Sequence, residues 1–161
     1  MLKVGDVAPE FILPDENGNE VSLIQRLQES AVILYFYPAD FTPGCTKEAC
    51  AIRDIHDDIQ SVGLEVIGIS PQDAESHKRF QEEHDLPFTL ICDPDKIAIR
   101  MYDADGPMGF GVRRITYLVS QGQRIQVALG ADLTLGQHED FIRRAIVRRA
   151  TAGMKVEKDA E

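Results

Sequence analysis

The spacing of hydrophobic positions changes several times along this chain. Residues 31–37, AVILYFY, are a continuous run of apolar β-formers, the pattern of a strand covered on both faces. Pro38 ends it. Residues 64–70, LEVIGIS, repeat the pattern and are broken by Ser70-Pro71, and PFTLICD, 87–93, supplies a third strand. Between the first two runs the period lengthens. Cys45, Ala49, Ile52, Ile55, Ile59 and Val62 fall at steps of three and four, which predicts one helix over 43–62 with Gly63 as its stop. A polar helix is predicted over 73–84 and a short one over 95–102. Residues 103–112 are Gly-rich and loop-like. RITYLVS and QRIQVAL predict a strand pair joined across Gln121-Gly122, followed by a last helix over 137–150. Near the amino end, residues 10–23 read as two short extended segments around Asn17-Gly18, a hairpin signal, with a short helix at 24–29.

Alternating strands and helices imply parallel crossovers, and the closing strand pair implies antiparallel edge pairing. The predicted fold class is α/β, a mixed β-sheet flanked by helices on both faces, with an N-terminal β-hairpin. The strand, loop and Cys-bearing helix start at 31–45 resemble the thioredoxin-like arrangement. It sets the cysteine beyond the carboxyl end of a central strand, where open α/β sheets build sites. One domain is expected over 1–154, with a frayed polar tail at 155–161.

Composition narrows the function. The 161 residues are 43% hydrophobic, enough for a packed core, and the size fits one domain. Net charge is −10, from 17 Lys+Arg against 27 Asp+Glu, which a phosphate backbone or anionic membrane would repel, so no nucleic-acid or membrane partner is expected. The basic cluster Arg143, Arg144, Arg148 and Arg149 falls at the end of the predicted last helix and reads as a solvated face. The first residues hold no signal-peptide pattern, and no stretch nears the about 18 apolar residues of a membrane span. A cytoplasmic, reducing setting is expected. There, three cysteines are not a disulfide scaffold, and a close pair points to redox or metal chemistry.

That pair lies in PADFTPGCTKEAC, residues 38–50. Thr42, Pro43, Gly44 and Cys45 read as Ncap, N1, N2 and N3 of the helix. Thr is a good cap, Pro is favoured at N1, and Gly44 leaves the backbone open to an approaching molecule. Cys45 then sits among unpaired N–H groups at the positive end of the helix dipole, a setting that favours thiolate over thiol. A thiolate is a nucleophile, and a peroxide O–O bond is a natural target that yields a sulfenic acid. The plainer reading of Cys45 is a small buried hydrophobe. Five residues along an ideal helix place Cys45 and Cys50 roughly 8–9 Å apart at Cα. A disulfide needs ~4.4–6.8 Å. The pair can bond only where helix turns unwind. Cys50 is thus either a resolving cysteine that depends on local opening or a helix cysteine of no consequence.

Pro38-x-x-x-Thr42-x-x-Cys45 resembles the Pro-x-x-x-Thr/Ser-x-x-Cys signature of peroxiredoxins, and YPADFTPGCTKEAC, with its second cysteine, is similar to the Q-type (bacterioferritin comigratory protein) branch. GDVAPEFILPDENGNEVSL, VIGIS, DPD and RRITYLV follow in that family's order, so the resemblance spans nearly the whole chain. It implies a thiol peroxidase acting on hydrogen peroxide and organic hydroperoxides, with Cys45 peroxidatic and Cys50 resolving it as an intramolecular disulfide. Thioredoxin or glutaredoxin would be the reductant, no cofactor would be required, and the protein would be a monomer or homodimer. It further implies that Thr42 hydrogen-bonds thiolate and peroxide, that Pro38 shields the thiolate from water, and that an Arg on a later strand holds it. Arg114-Ile115-Thr116-Tyr117 fits the Arg-x-Thr/Ser-aromatic pattern better than a reading centred on Arg113. Glu48 matches a position that orients that Arg, and equally reads as a solvated helix glutamate. Ala39-Asp40-Phe41 departs from the frequent Lys-Asp-x, removing a cation and adding an apolar face at the site's mouth.

Other residues read plainly. Cys92 reads as a buried free thiol, with a substitute resolving cysteine as its alternative. His56, His77, His84 and His138 are scattered singly, so no metal is expected. GPMGFG has no G-x-G-x-x-G, which argues against a nucleotide site. Two other functions stay open: a dithiol oxidoreductase of the same fold, weakened by the lack of Cys-x-x-Cys, and a redox sensor whose unwinding is itself the signal.

Overall fold

The computed structural model describes residues 1–130 and 135–160. The amino-terminal hairpin forms as expected, with β1 (Ile12–Pro14) antiparallel to β2 (Glu20–Ser22) and Leu13 opposite Val21. Asp15 shapes its turn: Oδ1 accepts from the N–H of Asn17 at 2.8 Å and of Asn19 at 3.0 Å. Gly18 there takes φ 80°, which a side chain would resist. Ser22 caps α1 (Leu23–Glu29) by accepting from the Gln25 N–H. β3 (Ala31–Phe36) is buried at every position, as its unbroken apolar run requires.

The helix expected over 43–62 is two helices, α2 (Pro43–Asp54) and α3 (His56–Ser61), broken at Ile55 (φ −111°, ψ 11°). The apolar stripe runs on through the break, so periodicity hides it. Asp57 and Asp58 favour a new helix start at that point by lying in its first turn. The chain continues through β4 (Leu64–Ser70) and α4 (Ala74–Glu83), capped by Asp73 accepting from the Ser76 N–H at 2.9 Å. β5 (Thr89–Cys92), α5 (Ile97–Met101) and a 3-10 turn at Pro107–Gly109 follow. β6 (Ile115–Val119), β7 (Ile125–Leu129) and α6 (Leu135–Ala160) close the chain.

The five-stranded sheet has the order β5-β4-β3-β6-β7, with β3, β4 and β5 parallel and β6 and β7 antiparallel. Side chains alternate across it. Val32, Leu34 and Phe36 face a layer built from the hairpin, α1 and α5. Ala31, Ile33 and Tyr35 face α2, α3, α4 and α6. Cys45 belongs to this second layer.

α6 runs through Ala160, well past the expected end at 150, so residues 155–160 continue the helix instead of fraying; Glu161 lies outside the described residues. The basic cluster is therefore mid-helix and partly engaged. Arg143 Nη2 pairs with Glu139 Oε1 at 2.7 Å, and Arg149 Nε donates to the Val62 carbonyl at 2.9 Å, tying α6 to the end of α3.

Gly68 on β4 makes room for the Tyr35 ring beneath the site. A Cβ there would stand 2.8 Å from ring atoms and hydroxyl of Tyr35. That ring is held by stacking on Tyr37 at 5.2 Å and by the edge of Phe88 at 6.0 Å. Gly68→Ala is expected to cost about 1–3 kcal/mol, read as a lower urea midpoint at an unchanged slope. An unchanged midpoint would show that the ring swings aside freely.

Candidate active site

The cap at Thr42 sets the site. With φ −72° and ψ 147° it leaves the extended chain, and Pro43, Gly44 and Cys45 occupy the first turn of α2. Thr42 Oγ1 accepts from the Cys45 N–H at 3.4 Å and donates to the Ala39 carbonyl at 3.2 Å. In the peroxide-free chain its hydroxyl is thus spent on the loop backbone. Pro38, half-buried, follows the end of β3 and turns the chain toward Thr42.

Cys45 is 2% exposed and carries a free thiol, as do Cys50 and Cys92. Arg114 reaches it from just before β6, not from within the strand. The antiparallel pair Phe36–Ile115 brings that position beside the end of β3. Arg114 Nη2 donates to Cys45 Sγ at 3.3 Å, and Nη1 donates to Glu48 Oε2 at 2.9 Å. Glu48 follows Cys45 by three residues on α2, so both share one helix face. It is buried, not the solvated glutamate of the plainer reading. Burial opposes the Arg114 charge, but Glu48 and Cys45 outweigh it and hold the guanidinium above its ordinary pKa. Burial pushes the Glu48 carboxyl up, and Arg114 pulls against that shift. Arg113, the neighbouring candidate, is exposed.

Cys50 is half-buried on α2 beside Cys45 in sequence but more than a turn away in space. Both are helical and unbonded, the arrangement their spacing dictates for an intact helix.

A buried polar cluster escaped the sequence reading. Asp40 accepts from the Tyr37 hydroxyl at 2.7 Å, from Ser76 Oγ at 2.8 Å and from His77 Nδ1 at 2.7 Å. His77 Nε2 lies 3.0 Å from the Ile91 carbonyl. This cluster pins the loop between β3 and α2 to α4 and β5. The signal was the spacing of His77 and Phe80 on one face of α4, which marks His77 as buried. Phe41, next along the loop, takes φ 64°, at a cost of about 1 kcal/mol for a bulky residue. Its ring packs edge-on to Phe80 at 5.2 Å, and Arg79 lies 5.3 Å over it.

Cys92 is a buried thiol that donates to the Asp15 carbonyl at 3.5 Å. Burial, aided by Glu16, Asp15, Asp40 and Asp73, pushes its pKa up to about 12. It therefore stays protonated below that pH. Among the described residues no group of three or more His, Cys, Asp or Glu could hold a metal ion, and no helix is long and apolar enough to cross a membrane. In folded protein lacking Cys45 and Cys50, Cys92 is expected to resist iodoacetamide at pH 8 by mass spectrometry and to react once denatured. Rapid labelling of the folded chain would contradict that burial.

Comparison with known proteins shows the family. Residues 4–128 match the AhpC/TSA family. Peroxiredoxin Bcp of Escherichia coli is 37% identical over 147 residues, covering 88% of this chain and 93% of the relative. Peroxiredoxin Q, chloroplastic, of Oryza sativa subsp. japonica is 53% identical over 89 residues, covering 55% of this chain and 41% of the relative. Among solved structures, peroxidoxin BcpB of Mycobacterium tuberculosis superposes with a TM-score of 0.86 at 28% identity, covering 92% of this chain and 98% of that one. The chain belongs to the AhpC/TSA family and is a peroxiredoxin similar to the Bcp and Q-type members.

Proposed function

We propose that this peroxiredoxin reduces hydrogen peroxide and organic hydroperoxides by a cycle confined to α2. The observation that carries the proposal is the single guanidinium of Arg114, shared between Cys45 Sγ and the Glu48 carboxylate. Cys45 is the peroxidatic nucleophile. Its thiolate sulfur attacks the terminal peroxide oxygen, the O–O bond breaks, and the leaving oxygen takes a proton as water or alcohol. Cys45 is left as sulfenic acid. Arg114 holds the thiolate and faces the charge that develops on the oxygens. Glu48 orients Arg114. Thr42, released from Ala39, hydrogen-bonds the peroxide, and Pro38 limits water at the sulfur.

Cys50 is the resolving residue. The first turns of α2 open, the Cys50 thiol attacks the sulfenic sulfur, water leaves, and a Cys45–Cys50 disulfide forms. A dithiol of the thioredoxin or glutaredoxin kind then reduces that disulfide and is itself oxidised to a disulfide. The helix break at Ile55 supports this reading, because α2 can open without α3.

Mixing reduced protein with one equivalent of peroxide is expected to remove two thiols and two hydrogens by mass. Cys45→Ser is expected to be inert, at least ~10³-fold slower. Cys50→Ser is expected to react once and stop as sulfenic acid. Peroxidase activity surviving in Cys45→Ser would overturn the assignment. Steady-state turnover with thioredoxin and glutaredoxin systems side by side identifies the reductant class, and insulin reduction without peroxide reaction would favour a dithiol oxidoreductase instead.

A further inference from the structure

Beside Glu48 lies a cavity of about 150 Å³ between α2, β6 and α6 that Cys45 does not line. Glu48 and Ile52 line it from α2, Thr116 from β6, and His138 and Ile142 from α6. Among the described residues only three buried side-chain polar atoms have no hydrogen-bond partner, and two of them, Glu48 Oε1 and His138 Nε2, belong to residues that line this cavity. Glu48 is 5% exposed and His138 is 1% exposed. Unpartnered polar atoms buried at this depth are costly and rare. Two residues carrying such atoms line one cavity, wide enough for several waters at ~30 Å³ each, and a water is the partner that would satisfy both.

His138 is fixed from its other side, where Nδ1 lies 2.9 Å from Thr116 Oγ1. Burial and the Arg114 charge push its pKa down to about 4, so the ring is neutral near pH 7. A neutral imidazole has one donor and one acceptor nitrogen. A water suits either tautomer, since it accepts from an Nε2–H or donates to a bare Nε2, and keeps a hydrogen for Glu48 Oε1 in both cases. Lys47 and Glu139 are the other charged groups lining the cavity; Lys47 is exposed and Glu139 is paired with Arg143.

We propose that His138 is a positioning residue for Glu48, acting through water held between α2 and α6. One Glu48 oxygen is held by Arg114, and the other is held by this bridge. The carboxylate is thereby fixed at both ends, and with it the guanidinium that faces Cys45. The inference rests on the reading that Arg114 serves the Cys45 thiolate. It also extends the site to α6.

The test compares the parent chain with His138→Phe, His138→Gln and Thr116→Val. Two readouts are taken, the thiolate ultraviolet absorbance of Cys45 across pH and the single-turnover rate with hydrogen peroxide. The absorbance is recorded without peroxide, so it reports on the bridge even where the peroxidase reading fails. His138→Phe, which removes the polar atom, is expected to lower the rate about tenfold and to shift the absorbance profile. His138→Gln, which keeps a group able to bind the water, is expected to restore most of both. Thr116→Val frees the ring from its anchor without changing side-chain shape, and a smaller loss in the same direction is expected. Parental rate and absorbance in folded His138→Phe would overturn the proposal. So would equal losses in the Phe and Gln variants that merely follow a loss of helix content by circular dichroism.

Discussion

One guanidinium ties the candidate site together. Arg114 bonds Cys45 Sγ with one nitrogen and Glu48 with another, and so joins the first turn of α2 to the edge of β6. A half-buried cation of this kind is favoured by a buried anion beside it, which Glu48 supplies. The rest of the fold serves that geometry. The register of β3 against β6 delivers Arg114 to the end of β3. The Asp40–His77 cluster pins the loop that carries Thr42. The Thr42 cap then sets where α2 begins and thus which way Cys45 points.

The same arrangement places the groups that react in the proposed cycle on a helix with little stability of its own. α2 has 12 residues and ends at Asp54, and a helix of about that length is marginal in water without packing. Its hold on the protein comes from Ala49 and Ile52 in the core and from the Cys45–Arg114–Glu48 contacts. In the proposed cycle, oxidation of Cys45 alters one of those contacts at the moment the helix must open. The break at Ile55 would confine the opening, leaving α3 and its buried Ile59 in place.

The strands of the central sheet were legible because apolar β-forming runs have few alternative fates, and the start of α2 was legible because Thr-Pro-Gly-Cys is a strong local signal. The break at Ile55 was not, since an apolar stripe does not register a local change of hydrogen bonding from one turn to the next. The true length of α6 was hidden by its polar carboxyl-terminal half, which resembles a tail in composition. Within the site, Glu48 and Arg114 were named from a motif, but their bond depends on β6 meeting β3. Asp40 with His77 and Thr116 with His138 pair residues 37 and 22 positions apart, and no local pattern announces such contacts. His138 did carry a trace, because it shares a spacing of three and four with the buried Phe141, Ile142 and Ala145.

The most direct measurement is amide hydrogen exchange across α2 in the reduced and peroxide-oxidised protein. Residues 45–52 are predicted to lose protection on oxidation while α3 and the β3–β4 pair keep theirs. A Cys45–Cys50 disulfide formed with α2 protection intact would contradict helix opening as the route from sulfenic acid to disulfide.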